Sequence, residues 1–180
     1  VARLARKILP NQVYFVMLRG LPQLTVFDKD ELKLAFLAWL RDAAKHYKLA
    51  IHAYVILPNQ AQLMVTPLEE NSLSKTMQSL CRRYTQRFNH VHHHQSTIWA
   101  GRYFSQPLHE MKGHLEYQRK IELSPLKEHL VTKLEDYNWS SYRIHTGKEP
   151  NYGLQDVPAF WNLGNTPFER QHRWESYLFE

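Results

Sequence analysis

The feature that most constrains the fold is a pair of apolar runs held two residues apart. Residues 49–57 (LAIHAYVIL) and 60–66 (QAQLMVT) are short and rich in β-branched and large apolar side chains, and only Pro58-Asn59 separates them. Runs of that kind read as strands, and so short a connection makes them an antiparallel pair.

The flanks supply the rest of the architecture. Val13-Tyr14-Phe15-Val16-Met17-Leu18 reads as a buried strand, ended by Arg19-Gly20-Leu21-Pro22. Asp28, with Glu31 three residues on, reads as the N-cap of a helix. Leu32, Ala35, Phe36, Trp39, Leu40 and Ala43 then recur at helical spacing to about Tyr47. Ser72 caps a second helix, whose stripe of Leu73, Met77, Leu80, Cys81, Tyr84, Phe88 and Val91 is backed by Lys75, Arg82, Arg83, Gln86, Arg87 and His90. Residues 101–108 read as an edge strand, because Pro107 cannot donate to a ladder. A third helix is expected over 109–123, stopped by Ser124-Pro125. The order β, α, β, β, α, β, α argues for an α+β sandwich with a mainly antiparallel sheet. Beyond Gly147 the texture becomes turn-like, and 169–180 reads as a terminal helix. We treat 147–180 as an appendage to the domain formed by 1–146.

Composition narrows the function. The net charge of +6 points toward nucleic acid or an anionic surface. The single cysteine, Cys81, excludes an internal disulfide framework and a cysteine-based zinc cluster, which fits a reducing cytoplasm. Apolar runs fall short of the roughly 20 residues a membrane span needs. The N-terminal VARLARKILP lacks the long apolar stretch of a secretory signal. The expected setting is therefore cytoplasmic, without a membrane partner.

Several motifs occur together and in order: Tyr14, Val16 and Arg19-Gly20; HAYVILPNQAQLMV; Arg83-Tyr84-Thr85 with Phe88-Asn89; Gly101-Arg102-Tyr103; Ile121-Glu122-Leu123-Ser124-Pro125; and Trp139-Ser140-Ser141-Tyr142. The set resembles the REP-associated tyrosine transposases, relatives of the single-strand insertion-sequence transposases, over roughly residues 1–146. The resemblance implies a ferredoxin-like α+β sandwich. It implies cleavage and rejoining of single-stranded DNA beside imperfect palindromic hairpins. In that chemistry two histidines of a His-hydrophobic-His pair hold a divalent metal that polarises the scissile phosphate. A helix tyrosine attacks phosphorus and becomes a 5′-phosphotyrosine link.

The sequence departs from the family at these very positions. The His pair is replaced by Gln60 and Gln62, which alternation keeps on one strand face but which offer neutral, weak donors. Aligning the helix end puts Lys120 at the nucleophile position, Ser124 where Asn is usual, and Phe15 where His usually follows the early tyrosine. A lysine cannot form the phosphotyrosine intermediate. The resemblance therefore implies a transposase-like protein that recognises single-stranded or hairpin DNA and is impaired in cleavage, with no cofactor. Two alternatives stand beside it. One is an active nickase using Tyr117, one turn before Lys120, with Mg²⁺ or Mn²⁺ held by Gln60 and Gln62. The other is an RNA- or protein-interaction module, whose FERQHRWESYLFE segment docks a partner helix or a second copy to make a homodimer.

The candidate DNA contacts follow charge and aromatic character. Arg3, Arg6 and Lys7 form a basic N-terminal arm. Arg19, Arg82, Arg83, Arg87 and Arg102 add cations for phosphates, and Tyr103 and Tyr142 offer rings for unpaired bases. His92-His93-His94 is set aside as a metal site, because consecutive helical residues point apart. His52, on a strand among apolar neighbours, reads as structural.

Overall fold

The structure, a computed structural model, describes residues 6–180. Its strands are β1 (Val13–Arg19), β2 (Leu49–Leu57), β3 (Gln60–Pro67) and β4 (Phe104–Leu108). They form one four-stranded sheet in the order β2-β3-β1-β4, with every neighbouring pair antiparallel. Helices α1 (Asp30–Tyr47) and α2 (Ser72–His92) pack against each other on one face. The other face carries α3 (Met111–Lys127) with α5 (Pro158–Trp161) and α6 (Pro167–Leu178), and α4 (Tyr142–His145) sits at the β2 edge, giving Ile144 to one core and Tyr142 to the other. The fold is the expected ferredoxin-like α+β sandwich, with helices on both faces of the sheet.

Strand alternation divides the side chains between two cores. Tyr14, Val16 and Leu18 join Phe36, Leu40, Leu80 and Tyr84 beneath α1 and α2. Phe15 and Met64 join Ile121, Phe160 and Trp174 on the α3 side. Full burial of one such side chain is worth about 1.5–3 kcal/mol, so both layers hold the sheet in place. Segment 147–180 supplies Val157, Ala159, Phe160, Trp174 and Leu178 to the second core. It also edges the sheet, since the Gln155 N–H donates to Ile51 O at 2.9 Å along β2.

Local details differ from the sequence expectations in four places, the first being that Asn71 stands at the cap position of α2 and Ser72 is its first residue. Helix α1 is preceded by Lys29, and Asp28 does not cap it. The Asp28 carboxylate lies 3.1 Å from His92 Nε2 and ties the start of α1 to the end of α2. Strand β4 begins at Phe104, because the chain turns at Gly101 (φ 137°) after the Ala100 N–H has bonded Arg19 O at 2.9 Å. Helix α3 continues through Pro125 to Lys127. A proline there removes one donor near the helix end, where few further bonds are at stake. The Glu128 N–H still reaches Ser124 O at 2.9 Å, and the Ser124 hydroxyl donates to Lys120 O at 2.8 Å.

Candidate nucleic-acid interface

Antiparallel register gathers Gln60, Gln62 and their strand neighbours on one face. Phe104 on β4, Met17 on β1 and Gln62 on β3 stand in one row across the sheet. On one side of that row Gln106, Phe15 and Met64 form the next, and on the other Arg19 pairs with Gln60. Arg19, Met17, Phe15, Gln60, Gln62 and Phe104 therefore share the face on which α3 lies. Phe104 remains 48 % exposed and Arg19 is exposed, so α3 leaves part of the strip open.

Helix α3 brings Lys120 over this strip. Lys120 Nζ is 5.3 Å from the Phe15 ring centroid and 5.4 Å from that of Tyr117. The Tyr117 and Phe15 rings are themselves 5.1 Å apart. Tyr117 thus packs into the second core, whereas Lys120 is exposed at its edge. Cation–π contacts of this kind steady an ammonium without neutralising it.

The donor set around the two glutamines does not fit a catalytic divalent ion. Gln62 Nε2 donates to Gln60 Oε1 at 3.4 Å, and Gln60 Nε2 reaches Glu128 Oε1 at 3.5 Å. The amides are turned toward each other, and Gln62 Oε1 is buried without a hydrogen-bond partner. Neutral carboxamides with a single carboxylate at the rim leave an ion undercompensated. Arg19, Gln60 and Glu128 also line an open cavity of about 390 Å³.

A second opening lies beside β4. Arg6, Lys7, Leu9, Tyr14, Phe104 and Pro107 line a groove of about 460 Å³. The Leu9 N–H donates to Tyr14 Oη at 2.8 Å, which fixes the arm against β1. Phe104 joins the groove to the strip, its ring 6.5 Å from Phe15. Arg3 lies outside the described residues.

Other sequence candidates are placed elsewhere. Arg82, Arg83 and Arg87 are exposed on α2, across the sheet from Gln60 and Gln62. Arg83 sits 4.9 Å above the Trp39 ring. Arg102 is exposed in the turn before β4. Tyr103 is half-buried, with the Arg6 guanidinium 4.3 Å over its ring. Tyr142 requires a correction, because at 2 % exposure it has no face to offer a base. Its hydroxyl donates to Glu175 Oε1 at 3.1 Å and accepts from Lys148 Nζ at 3.4 Å. The three consecutive histidines diverge: His92 faces Asp28, His94 Nδ1 meets Asn89 Oδ1 at 2.8 Å, and His93 turns the chain at φ 52°.

Sequence reasoning missed a buried polar cluster two residues beyond Lys120. Glu122, fully buried, accepts from Ser141 Oγ at 2.7 Å and from Trp174 Nε1 at 2.7 Å. His145 Nδ1 donates to Glu122 Oε1, and His145 Nε2 lies 3.3 Å from Asp156 Oδ1. Burial by itself would lower the His145 pKa, but the flanking Glu122 and Asp156 carboxylates more than reverse this and raise it to about 9. The signal available in the sequence was a Glu inside an otherwise apolar helix end.

Comparison with known proteins bears on the fold and the family. No curated relative matches the chain. Among solved structures, a REP-associated tyrosine transposase bound to a REP hairpin superposes with a TM-score of 0.63 at 17% identity, covering 88% of this chain and 96% of that one. The tRNA(His) guanylyltransferase of Saccharomyces cerevisiae superposes with a TM-score of 0.50 at 11% identity, covering 98% of this chain and 81% of that one. At such identities both likenesses are of fold alone. The family model described as IS200-like transposase matches residues 11–119, which include β1 to β4 and the first half of α3, and on that match the chain belongs to the IS200-like transposase family.

Proposed function

We propose that the protein binds single-stranded or hairpin DNA along the strip and the adjoining arm, and does not cleave it. The observation that carries this reading is the convergence of Gln60, Gln62 and Lys120 on one open sheet face lined by cations and aromatic rings. Lys120, Arg19 and Lys7 supply phosphate contacts, and exposed Phe104 supplies a stacking surface. The superposed transposase, which carries a REP hairpin, supports hairpin DNA as the ligand class. Transfer of the strand to protein needs a nucleophile and a charge to polarise phosphorus. Lys120 offers a cation in place of the hydroxyl, and the paired carboxamides offer no strong ligand field.

Tyr117 is the alternative nucleophile considered for this face. Its ring packs on Phe15, and in-line attack tolerates little displacement.

Binding is tested with a labelled single-stranded hairpin in native gels at several salt concentrations. The expected result is salt-sensitive binding, weakened by Lys120→Ala, Arg19→Ala and Phe104→Ala by about three- to tenfold each. Binding that ignores salt and all three substitutions, beside tight capture of RNA or another protein, would overturn the proposal.

A further inference from the structure

The C-terminal layer holds a cavity that the strip does not use. It measures about 550 Å³, and Gln155, Asp156, Trp161, Arg170 and Gln171 are among the residues that line it. It adjoins the β2 edge, where the Gln155 N–H bonds Ile51 O, whereas the strip opens toward β4 at the opposite edge. These residues all lie beyond the 11–119 stretch matched to the family.

Arg170 is the feature that asks for a ligand. It is only 7 % exposed, yet among the described residues no carboxylate pairs with it. Its hydrogen bond runs from a terminal N–H to Gly164 O at 3.1 Å. A guanidinium carries five donors, and a buried charge is costly unless it is matched. The guanidinium also lies 4.1 Å from the Trp161 ring centroid, and Trp161 is 54 % exposed. Cation, donors and an open indole are thus presented together. Asp156 carries the opposite charge; its Oδ1 lies 3.3 Å from His145 Nε2 as an ion pair, without a hydrogen bond. Gln155 and Gln171 add amide donors and acceptors around the cavity.

A ligand that satisfies all of this has an anion, a flat ring and a hydrogen-bonding edge, and fits a space too small for a duplex. We propose that this cavity binds a single nucleotide, its phosphate on Arg170 and its base against Trp161. The same chemistry comes from two sources, a free mononucleotide or an unpaired nucleotide of a longer strand.

Titration calorimetry separates them. The wild-type protein is titrated with 5′-mononucleotides, the matching nucleosides, inorganic phosphate and a short unpaired oligonucleotide. Saturable mononucleotide binding is expected, weakened about tenfold by loss of the phosphate or by Trp161→Ala. Arg170→Lys, which keeps the charge but loses the fork, weakens it by a similar factor. If only the oligonucleotide binds, and Trp161→Ala weakens it, the source is a strand and the site stands. Trp161 is exposed, so its substitution leaves the fold intact, checked by thermal unfolding. Absence of mononucleotide binding together with oligonucleotide binding unchanged by Trp161→Ala overturns the proposal. Phosphate alone binding as tightly as a nucleotide overturns it too. Hairpin affinity, read in parallel with Lys120→Ala, reports on the strip separately, so either site can fail without the other.

Discussion

Lys120 and Glu122 stand two positions apart on α3, about 200° around the helix, and their surroundings are opposite in kind. Lys120 lies at an open sheet face, over aromatic rings, with exposed neighbours and a buried amide oxygen on Gln62 that nothing satisfies. Glu122 is sealed from solvent, and Ser141, His145 and Trp174 take its two oxygens. On the proposed reading the first environment serves a bound strand that comes and goes, so its side chains carry little of the fold. The second ties α3 to α4 and α6 and carries a great deal. The difference lets the side chains of the open face change while the buried cluster holds the scaffold in shape.

The contrast breaks most sharply at Glu122. Glu122→Ala strands the His145 imidazolium in the core beside Asp156 alone, and a loss of about 3–5 kcal/mol is expected in denaturant unfolding. A loss under 1 kcal/mol, far below that range, would place the cluster among dispensable contacts. Trp174→Phe keeps most of the packing but removes the donor to Glu122 Oε2, and about 1.5–3 kcal/mol should go with it.

Acidity sharpens the same comparison. The His145 pKa is raised in the folded state to about 9, so its contribution is complete below the unfolded value near 6.5 and is lost as pH rises through about 9. His52 works in the other direction. Burial chiefly lowers its pKa, against a raising bond to Gln155 O, so its contribution is lost as pH falls below about 6.5. Stability should therefore peak near neutrality and decline toward pH 9 by at most about 1.4 kcal/mol per pH unit from this one group. Melting at a series of pH values checks the slope, and a His145→Gln variant should lose its alkaline limb.

The smallest effect belongs to the open face. Gln62→Leu removes a buried unsatisfied oxygen, so stability should stay level or rise by about 1 kcal/mol. A clear loss on that substitution would mean that the carboxamide pair supports the fold, contrary to the account of the strip.

Much of the architecture was legible because it rests on local pattern. The 49–57 and 60–66 runs with their Pro58-Asn59 link became β2 and β3, and the stripes of α1 and α2 became the first core. Strand parity alone put Gln60 and Gln62 on one face. What could not be read depends on distant partners. The α2 arginines read as phosphate contacts, but whether a helix lies above or below a given strand face is a tertiary fact, and it put them across the sheet from Gln60 and Gln62. Tyr142 looked like a stacking ring because nothing in the sequence marks the contacts that bury it with Glu175 and Lys148. The Glu122 cluster joins positions 23 and 52 residues apart in the chain, beyond the reach of any periodicity. Asp28 has the composition of a cap, yet its carboxylate answers a histidine 64 residues away.

The central claim is that the scaffold has kept its DNA face and lost strand transfer. It is tested most directly by incubating the wild-type protein with an end-labelled single-stranded hairpin and Mg²⁺ or Mn²⁺, then resolving the products under denaturing conditions. The account predicts intact DNA and no protein-linked label at concentrations where native gels show binding. A metal-dependent covalent band that Tyr117→Phe removes would contradict it, and would make Tyr117 the nucleophile of an active enzyme.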